Sequence, residues 1–191
     1  MRTVKEPDIR KQEILDGAIR VFAEYGYDKT TIATLSKALG ISQGLCYRYF
    51  SSKEEIYEAA IEKYADLLLA EELENHRKNL SVRAWIDNIG MTITKLMKAE
   101  ERAPQLYALF HSRNGNPMHD RLLLRLTEKM VPHVQQVLRQ ACVNGELSIE
   151  DPERTAIIGL YGAMGILHTT EMTEEEQAAA IRMGWKRLLG L

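Results

Sequence analysis

The feature that most restricts the fold of this chain is a pair of closely spaced helix stops in the stretch TTIATLSKALGISQGLCYRYFSSKEEI. A helix that follows Thr30 is predicted to end at Gly40, and the next helix is predicted to run from Ser42 to about Phe50. A helix this short is not stable alone in water. Its neighbours must therefore hold it in place, which predicts at least three helices packed together.

The rest of the chain also has helical periodicity, and no segment alternates with the period of a strand. We therefore predict an all-α fold of about nine helices, with an N-terminal three-helix domain and a C-terminal helical domain. The predicted domains are residues 1–53 and 54–191. The predicted helices after the third begin past Ser51 or Ser52 and at about 82–100, 104–112, 117–143, 152–169 and 173–189.

Charge is unevenly distributed along the chain, whose formal net charge is -2. Residues 1–53 hold nine Lys or Arg and six Asp or Glu, a net +3, and the remainder has a net -5. This asymmetry favours a polyanionic partner for the first part only. No apolar run is long enough for a membrane span or a secretory signal, and Cys46 and Cys142 lack metal or redox spacing. We expect a cytoplasmic protein without membrane contact.

Two helices joined by a tight glycine turn are the pattern of the DNA-binding helix-turn-helix. On a helical wheel the short helix directs Cys46 and Tyr49 toward the protein and a polar set away from it. Glutamine can pair with adenine in the major groove, glycine permits close approach of the backbone, and tyrosine and arginine reach phosphates. This outward set is Gln43, Gly44, Tyr47 and Arg48.

Further polar residues flank the short helix on both sides. Thr30 and Thr31 lie at a predicted helix N-terminus, where N–H groups and hydroxyls bind anions. Lys53 adds a positive charge just past the short helix. These residues favour DNA binding, while an ordinary helical corner with solvated polar residues remains the alternative reading of the same pattern.

The stretch YGYDKTTIATLSKALGISQGLCYRYFSSKEEIYEAAIEKY resembles the DNA-binding domain of the tetracycline-repressor (TetR) family of transcriptional regulators. The resemblance covers about residues 9–65 and implies an all-helical homodimer, a double-stranded DNA operator and a small-molecule inducer. Ser36 and Cys46 depart from the alanine and the larger aliphatic residue usual in that family. The wheel and the resemblance together predict these DNA-binding residues: Thr30, Thr31, Ser42, Gln43, Gly44, Leu45, Tyr47, Arg48, Tyr49 and Lys53.

The predicted helix at 152–169 carries two apolar stripes, whereas an ordinary surface helix needs one. The larger stripe contains Ile157, Leu160, Met164 and Leu167 and is expected to face the core. The second stripe is expected to face a partner subunit, together with one face of the last helix; intramolecular packing of all these residues is the alternative. The predicted dimer interface consists of Gly159, Gly162, Ala163, Ile166, Ile181 and Trp185.

Aromatic, methionine and histidine side chains on the C-terminal helices predict a mostly apolar ligand cavity, although core packing explains each residue taken alone. The candidates are Trp85, Tyr107, Phe110, His111, Met130, His133, Tyr161 and Met164. An apolar or amphiphilic ligand, neutral or cationic, is expected. No metal site and no cofactor are predicted, because no histidine pair or carboxylate has ligand spacing.

The expected function is a repressor that a small ligand releases from its operator. An all-helical ligand carrier or enzyme that keeps the helix-turn-helix as a scaffold is the main alternative. Such an enzyme would need a nucleophile–base pair or a metal constellation, and the sequence shows neither. A DNA-architectural protein without a ligand is a third reading, disfavoured by the nearly 140 residues outside the DNA-binding part.

Overall fold

The structure is a computed structural model that describes residues 6–77, 81–88, 103–110, 117–168 and 171–191. Within these ranges, side chains are described except at 71–77, 110 and 117–119. Helices are the only regular secondary structure in the described residues. The predicted all-α fold is confirmed for these residues. The helices are α1 (Pro7–Tyr25), α2 (Ile32–Ala38), α3 (Gln43–Tyr49), α4 (Lys53–Arg77), α5 (described over 82–88), α6 (Pro104–Phe110), α7 (Pro117–Val143), α8 (Pro152–Leu167) and α9 (Glu174–Leu189).

Local capping chemistry explains where most of these helices begin and end. In α8, the Asp151 carboxylate accepts a hydrogen bond from the backbone N–H of Arg154, and Pro152 occupies the first turn. In α9, Thr173 and Glu176 form a reciprocal capping box. Gly190 then ends α9 in the left-handed conformation with φ of 70°.

The chain forms two compact units, and α4 contributes residues to both. The first unit comprises Met1–Tyr64 and Glu100–His119, and the second comprises Ala65–Ala99 and Asp120–Leu191. In the first unit α1 packs against α2 and α6, and α2 packs against α3. Its largest fully buried side chains belong to α1, α2 and α4 and to Phe50 just after α3, and they include Phe22, Leu35, Phe50, Ile56, Tyr57, Ile61 and Tyr64.

The core of the second unit centres on two tryptophans. The rings of Trp85 and Trp185 meet edge to face, with centroids 4.9 Å apart and an interplanar angle of 72°. Gly159 of α8 lies against the Trp185 ring so closely that a Cβ atom there would be 2.3 Å from a ring carbon. The same cluster includes Val82, Ile86, Val134, Leu138, Ala141, Ala156, Ile181 and Leu189.

Candidate nucleic-acid interface

The start of α2 depends on Thr31 rather than on the predicted cap Thr30. The Thr31 hydroxyl accepts the backbone N–H of Thr34 at 3.1 Å, and the Thr34 hydroxyl accepts the N–H of Thr31 at 2.8 Å. Thr30 is buried, and its hydroxyl donates to the Gly26 carbonyl at 2.7 Å. The predicted phosphate contact of Thr30 is therefore wrong for its side chain, because that group already has a partner inside the protein.

The turn between α2 and α3 uses the conformational freedom of glycine. Gly40 has φ of 63°, in the left-handed region that L side chains rarely adopt. The N–H of Ile41 reaches back to the Ser36 carbonyl at 2.9 Å, which satisfies an acceptor at the end of α2. This geometry stops α2, and α3 begins at Gln43, three residues after Gly40.

Helix α3 has one buried side and one exposed side. The Ser42 hydroxyl accepts the N–H of Leu45 at 3.1 Å and caps the helix, and extended Phe50 ends it. Cys46 is fully buried and anchors the helix to the core. The exposed residues are Gln43, Gly44, Tyr47 and Arg48, the same four that the helical wheel directs outward.

Leu45 and Tyr49 are half-buried at the edges of this exposed side. The Arg48 guanidinium carbon lies 6.0 Å from the centroid of the Tyr49 ring, which is the outer range of a cation–π contact. Gly44 has open space where a Cβ would stand. A partner molecule can therefore approach the α3 backbone at Gly44, between the longer side chains of Gln43 and Tyr47.

The two departures from the family pattern lie next to each other where α2 packs on α3. Burial raises the pKa of the Cys46 thiol, and its contact with the Ser36 hydroxyl lowers that pKa by a smaller amount. The Ser36 hydroxyl is itself buried. A protonated thiol is a poor nucleophile, so Cys46 acts here as a small packing residue.

The residues that were predicted to line one ligand cavity lie in different environments. Trp85 is committed to the tryptophan core, Met130 packs on that core, and His133 and Met164 are half-buried. Tyr161 lies on the exposed side of α8, which contradicts its predicted place in an enclosed pocket. Tyr107 is half-buried in the first compact unit. The side chain of Phe110 and all of His111 lie outside the described residues.

The predicted dimer residues also separate. Gly159, Ile181 and Trp185 are buried within the chain, so their assignment to an interface is wrong. Ala163 and Ile166 pack partly on the same core, and Gly162 is exposed. The wheel misassigned the faces because Gly159 is small to accommodate the Trp185 ring rather than a partner helix. The exposed apolar residues that the prediction missed, or placed on the core side, are Ile157, Ile158 and Met183.

Among the described residues, no group of three or more His, Cys, Asp or Glu side chains could hold a metal ion. A search of the same parts of the chain for membrane spans found no helix with the length and apolar character that crossing a bilayer requires. Within the described residues, neither search therefore reveals a further candidate site besides the exposed surface of α3.

Comparison with known proteins finds a family of regulators that matches part of the first unit. The family described as "Bacterial regulatory proteins, tetR family" matches residues 14–60, which contain α2, α3 and most of α1. The negative transcriptional regulator IcaR of the icaADBC biofilm operon, from Staphylococcus epidermidis, is 34% identical over 103 residues. That alignment covers 53% of this chain and 54% of IcaR, so the chain matches about half the length of this relative.

Two solved structures share the fold over nearly the whole chain. Salmonella enterica GusR is 21% identical, with a TM-score of 0.58, and the alignment covers 98% of this chain and 99% of the GusR chain. FadR from Bacillus subtilis, in complex with stearoyl-CoA, is 19% identical, with a TM-score of 0.57, and covers 93% and 97%. The helix-turn-helix geometry agrees with the match of residues 14–60 to the tetR family of bacterial regulatory proteins, and the two solved structures show that the all-helical fold is shared.

Proposed function

We propose that this protein is a transcriptional regulator that binds a double-stranded DNA operator through the exposed side of α3. The observation that carries the proposal is the partition of α3, which buries Cys46 and leaves Gln43, Gly44, Tyr47 and Arg48 exposed. A recognition helix must be held by one face and present hydrogen-bonding groups on the other, and α3 meets both requirements.

Each exposed group has a distinct role in this proposal. The amide of Gln43, in the first turn of α3, can donate to and accept from the edge of an adenine. Arg48 and the hydroxyl of Tyr47 are placed to contact phosphates, which set register and affinity rather than sequence preference. The exposed Thr31, at the N-terminus of α2, supports the same role.

The proposed regulator is a homodimer whose interface is the exposed apolar side of α8 and α9. Ile157, Ile158 and Tyr161 of α8 and Met183 and Leu188 of α9 are all more than a third exposed. Exposed apolar residues that form a contiguous patch are typical of a covered surface, and we propose that these five residues form one. Gly162 and Gly165 have open space where a Cβ atom would stand, which allows a partner helix to approach closely.

A small apolar or amphiphilic ligand is proposed to control operator binding by the dimer. The fold-sharing FadR of Bacillus subtilis holds stearoyl-CoA, an amphiphile, and the relative IcaR is named a negative regulator. The half-buried Met130, His133 and Met164 of the second unit remain the candidate contacts on this chain. Such a ligand shifts DNA affinity only by its differential affinity for the DNA-bound and the released conformations.

The test is selection of duplexes from a random-sequence library by the purified protein, followed by sequencing. A dimer that inserts two copies of α3 into successive major grooves should enrich a two-fold symmetric site, with half-site centres about 10–10.5 base pairs apart. Binding should weaken with salt, with a slope of about -0.9 per neutralised phosphate on a log–log plot. Absence of any enriched sequence would contradict the proposal.

Repression and ligand release need a second experiment once a site is selected. A promoter that contains the selected site should direct less transcription when the protein is added. A panel of acyl chains, acyl-CoA thioesters and hydrophobic amines should contain a compound that raises the melting temperature and restores transcription. Activation by the protein alone would replace the repressor assignment with that of an activator.

A further inference from the structure

We propose that Lys53 positions the loop before α2 and does not serve as a phosphate ligand. The inference rests on the proposed DNA-binding function and changes the role of one residue in it. Resemblance to the family implies a DNA contact for Lys53, whereas the structure directs its ammonium group into the protein's own backbone. Lys53 would then affect DNA affinity only through the loop that leads to α2.

The Lys53 ammonium group has two contacts with a single residue. Its Nζ atom donates to the carbonyl oxygen of Tyr27 at 2.9 Å and lies 4.0 Å from the centroid of the Tyr27 ring. A hydrogen bond from a charged donor is stronger than a neutral one, and the face of an aromatic ring attracts a cation. The half-buried side chain is thus held from both the backbone and the ring of Tyr27.

Tyr27 is in turn held firmly by its surroundings. Its ring packs edge to face on Tyr57 at 4.8 Å between centroids and lies 5.5 Å from the ring of Phe22. Its hydroxyl donates to the Glu54 carboxylate at 3.0 Å. The first two residues of α4 therefore both contact Tyr27, so the start of α4 is joined to the loop that follows α1.

The loop that Lys53 holds leads directly into the candidate interface. The Tyr27 carbonyl also accepts the N–H of Thr30 at 3.1 Å, so Lys53 and Thr30 share one acceptor. Thr30 bonds back to Gly26, and the next residue, Thr31, caps α2. Loss of the Lys53 contact would loosen this turn and, with it, the position of the α2 N-terminus.

An ammonium group has three donors, so a phosphate contact has to be separated from a positioning role by experiment. The variant is Lys53→Met, which keeps an unbranched apolar stem and removes the charge. The matched control is Arg48→Met, which removes one positive charge from the exposed side of α3. Affinity for a fluorescein-labelled duplex of mixed sequence is measured by anisotropy over a series of salt concentrations.

Arg48→Met should reduce the magnitude of the log–log salt slope by about 0.9, the loss of one phosphate contact. Lys53→Met should keep the wild-type slope and lower affinity by about tenfold at every salt concentration. A slope reduced by about 0.9 in Lys53→Met would show a phosphate contact and overturn the proposal.

Amide hydrogen exchange without DNA provides the second readout. In Lys53→Met the Thr30 amide should exchange roughly tenfold faster, because its acceptor has lost a second donor that held it in place. The Leu45 amide, bonded to Ser42 in α3, should keep its wild-type rate and thereby report an intact fold. Unchanged exchange at Thr30 would overturn the proposal. If the wild type binds no duplex, the proposed function fails, and the Thr30 rate still decides whether Lys53 holds the loop.

Discussion

Helices α3 and α8 are both half-buried, but their exposed faces differ in chemistry. Each buries one face in the core of its own compact unit and leaves the other face exposed. The exposed face of α3 carries amide, phenol and guanidinium groups, whereas that of α8 carries Ile157 and Ile158. The first surface suits a hydrated polyanion and the second suits an apolar partner. The difference assigns DNA binding to one unit and self-association to the other in our proposal.

Glycine also has different uses in the two helices. Gly44 of α3 and Gly162 of α8 have open space at the Cβ position, so these residues leave room for something outside the described chain. Gly159 of α8 leaves room for the Trp185 ring inside the unit. A substitution at each position should therefore distinguish a glycine required for folding from one required for approach of a partner.

The largest expected effect is that of Gly159→Val. Its branched side chain would overlap the buried Trp185 ring, and the rigid indole cannot move away without disturbing Trp85. We expect a loss of about 3 kcal/mol in the free energy of unfolding, measured by urea denaturation. Gly162→Ala is the matched control on the same helix and should change stability by less than about 1 kcal/mol, with a gain expected from helix propensity. Equal losses in both variants would contradict the described packing of α8.

The next effect concerns the exposed apolar side of α8. Ile158→Glu should remain folded but become monomeric in light scattering, because a carboxylate would be buried against an apolar partner. Loss of the second half-site contact should lower affinity for a selected operator by roughly a hundredfold. Val143→Glu, at an exposed apolar residue of α7, is the control and should remain dimeric. A dimeric Ile158→Glu would place the interface elsewhere.

Helix starts show how much of the fold could be read from sequence. The sequence correctly places Ser42 at the start of α3, because Ser42 is a lone capping residue before a helical stretch. The prediction of Thr30 as the cap of α2 is wrong by one residue, because Thr31 beside it has the same side chain and only the hydrogen bonds distinguish the two. Capping is local chemistry, so a sequence can predict it to within a residue.

Longer-range assignments could not be made in the same way. The buried stripe of α8 is determined by Trp185, which lies 26 residues from Gly159 in the chain. The ammonium of Lys53 is bound by a carbonyl 26 residues earlier in the chain. A helical wheel holds no information about such partners, so it assigned Gly159 to the face expected to meet a partner subunit and could not reveal the contact of Lys53 with Tyr27.

The smallest expected effect compares two capping boxes. The box of α2 uses Thr34, which does not titrate, and that of α9 uses Glu176. Hydrogen bonds from the backbone and hydroxyl of Thr173 lower the pKa of Glu176 from 4.5. Because this pKa is lower in the folded than in the unfolded state, the ionised Glu176 stabilises the fold above pH 4.5. That stabilisation is lost as the pH falls through the pKa of the folded state.

Glu176→Gln should therefore be slightly less stable than the wild type in urea at neutral pH. The difference should shrink as acidification protonates the wild-type carboxyl group. A difference that stays constant down to acidic pH would mean that the charge of Glu176 has no part in the cap.

The central claim is that the exposed side of α3 reads DNA, and Gln43→Ala tests it most directly. Affinities of the wild type and the variant are measured for the selected duplex and for each of its single-base-pair changes. We predict a loss of about 1–3 kcal/mol at the selected site, with preference relaxed at one base pair in each half-site and kept elsewhere. Unchanged affinity together with an unchanged profile of base preferences would contradict the claim.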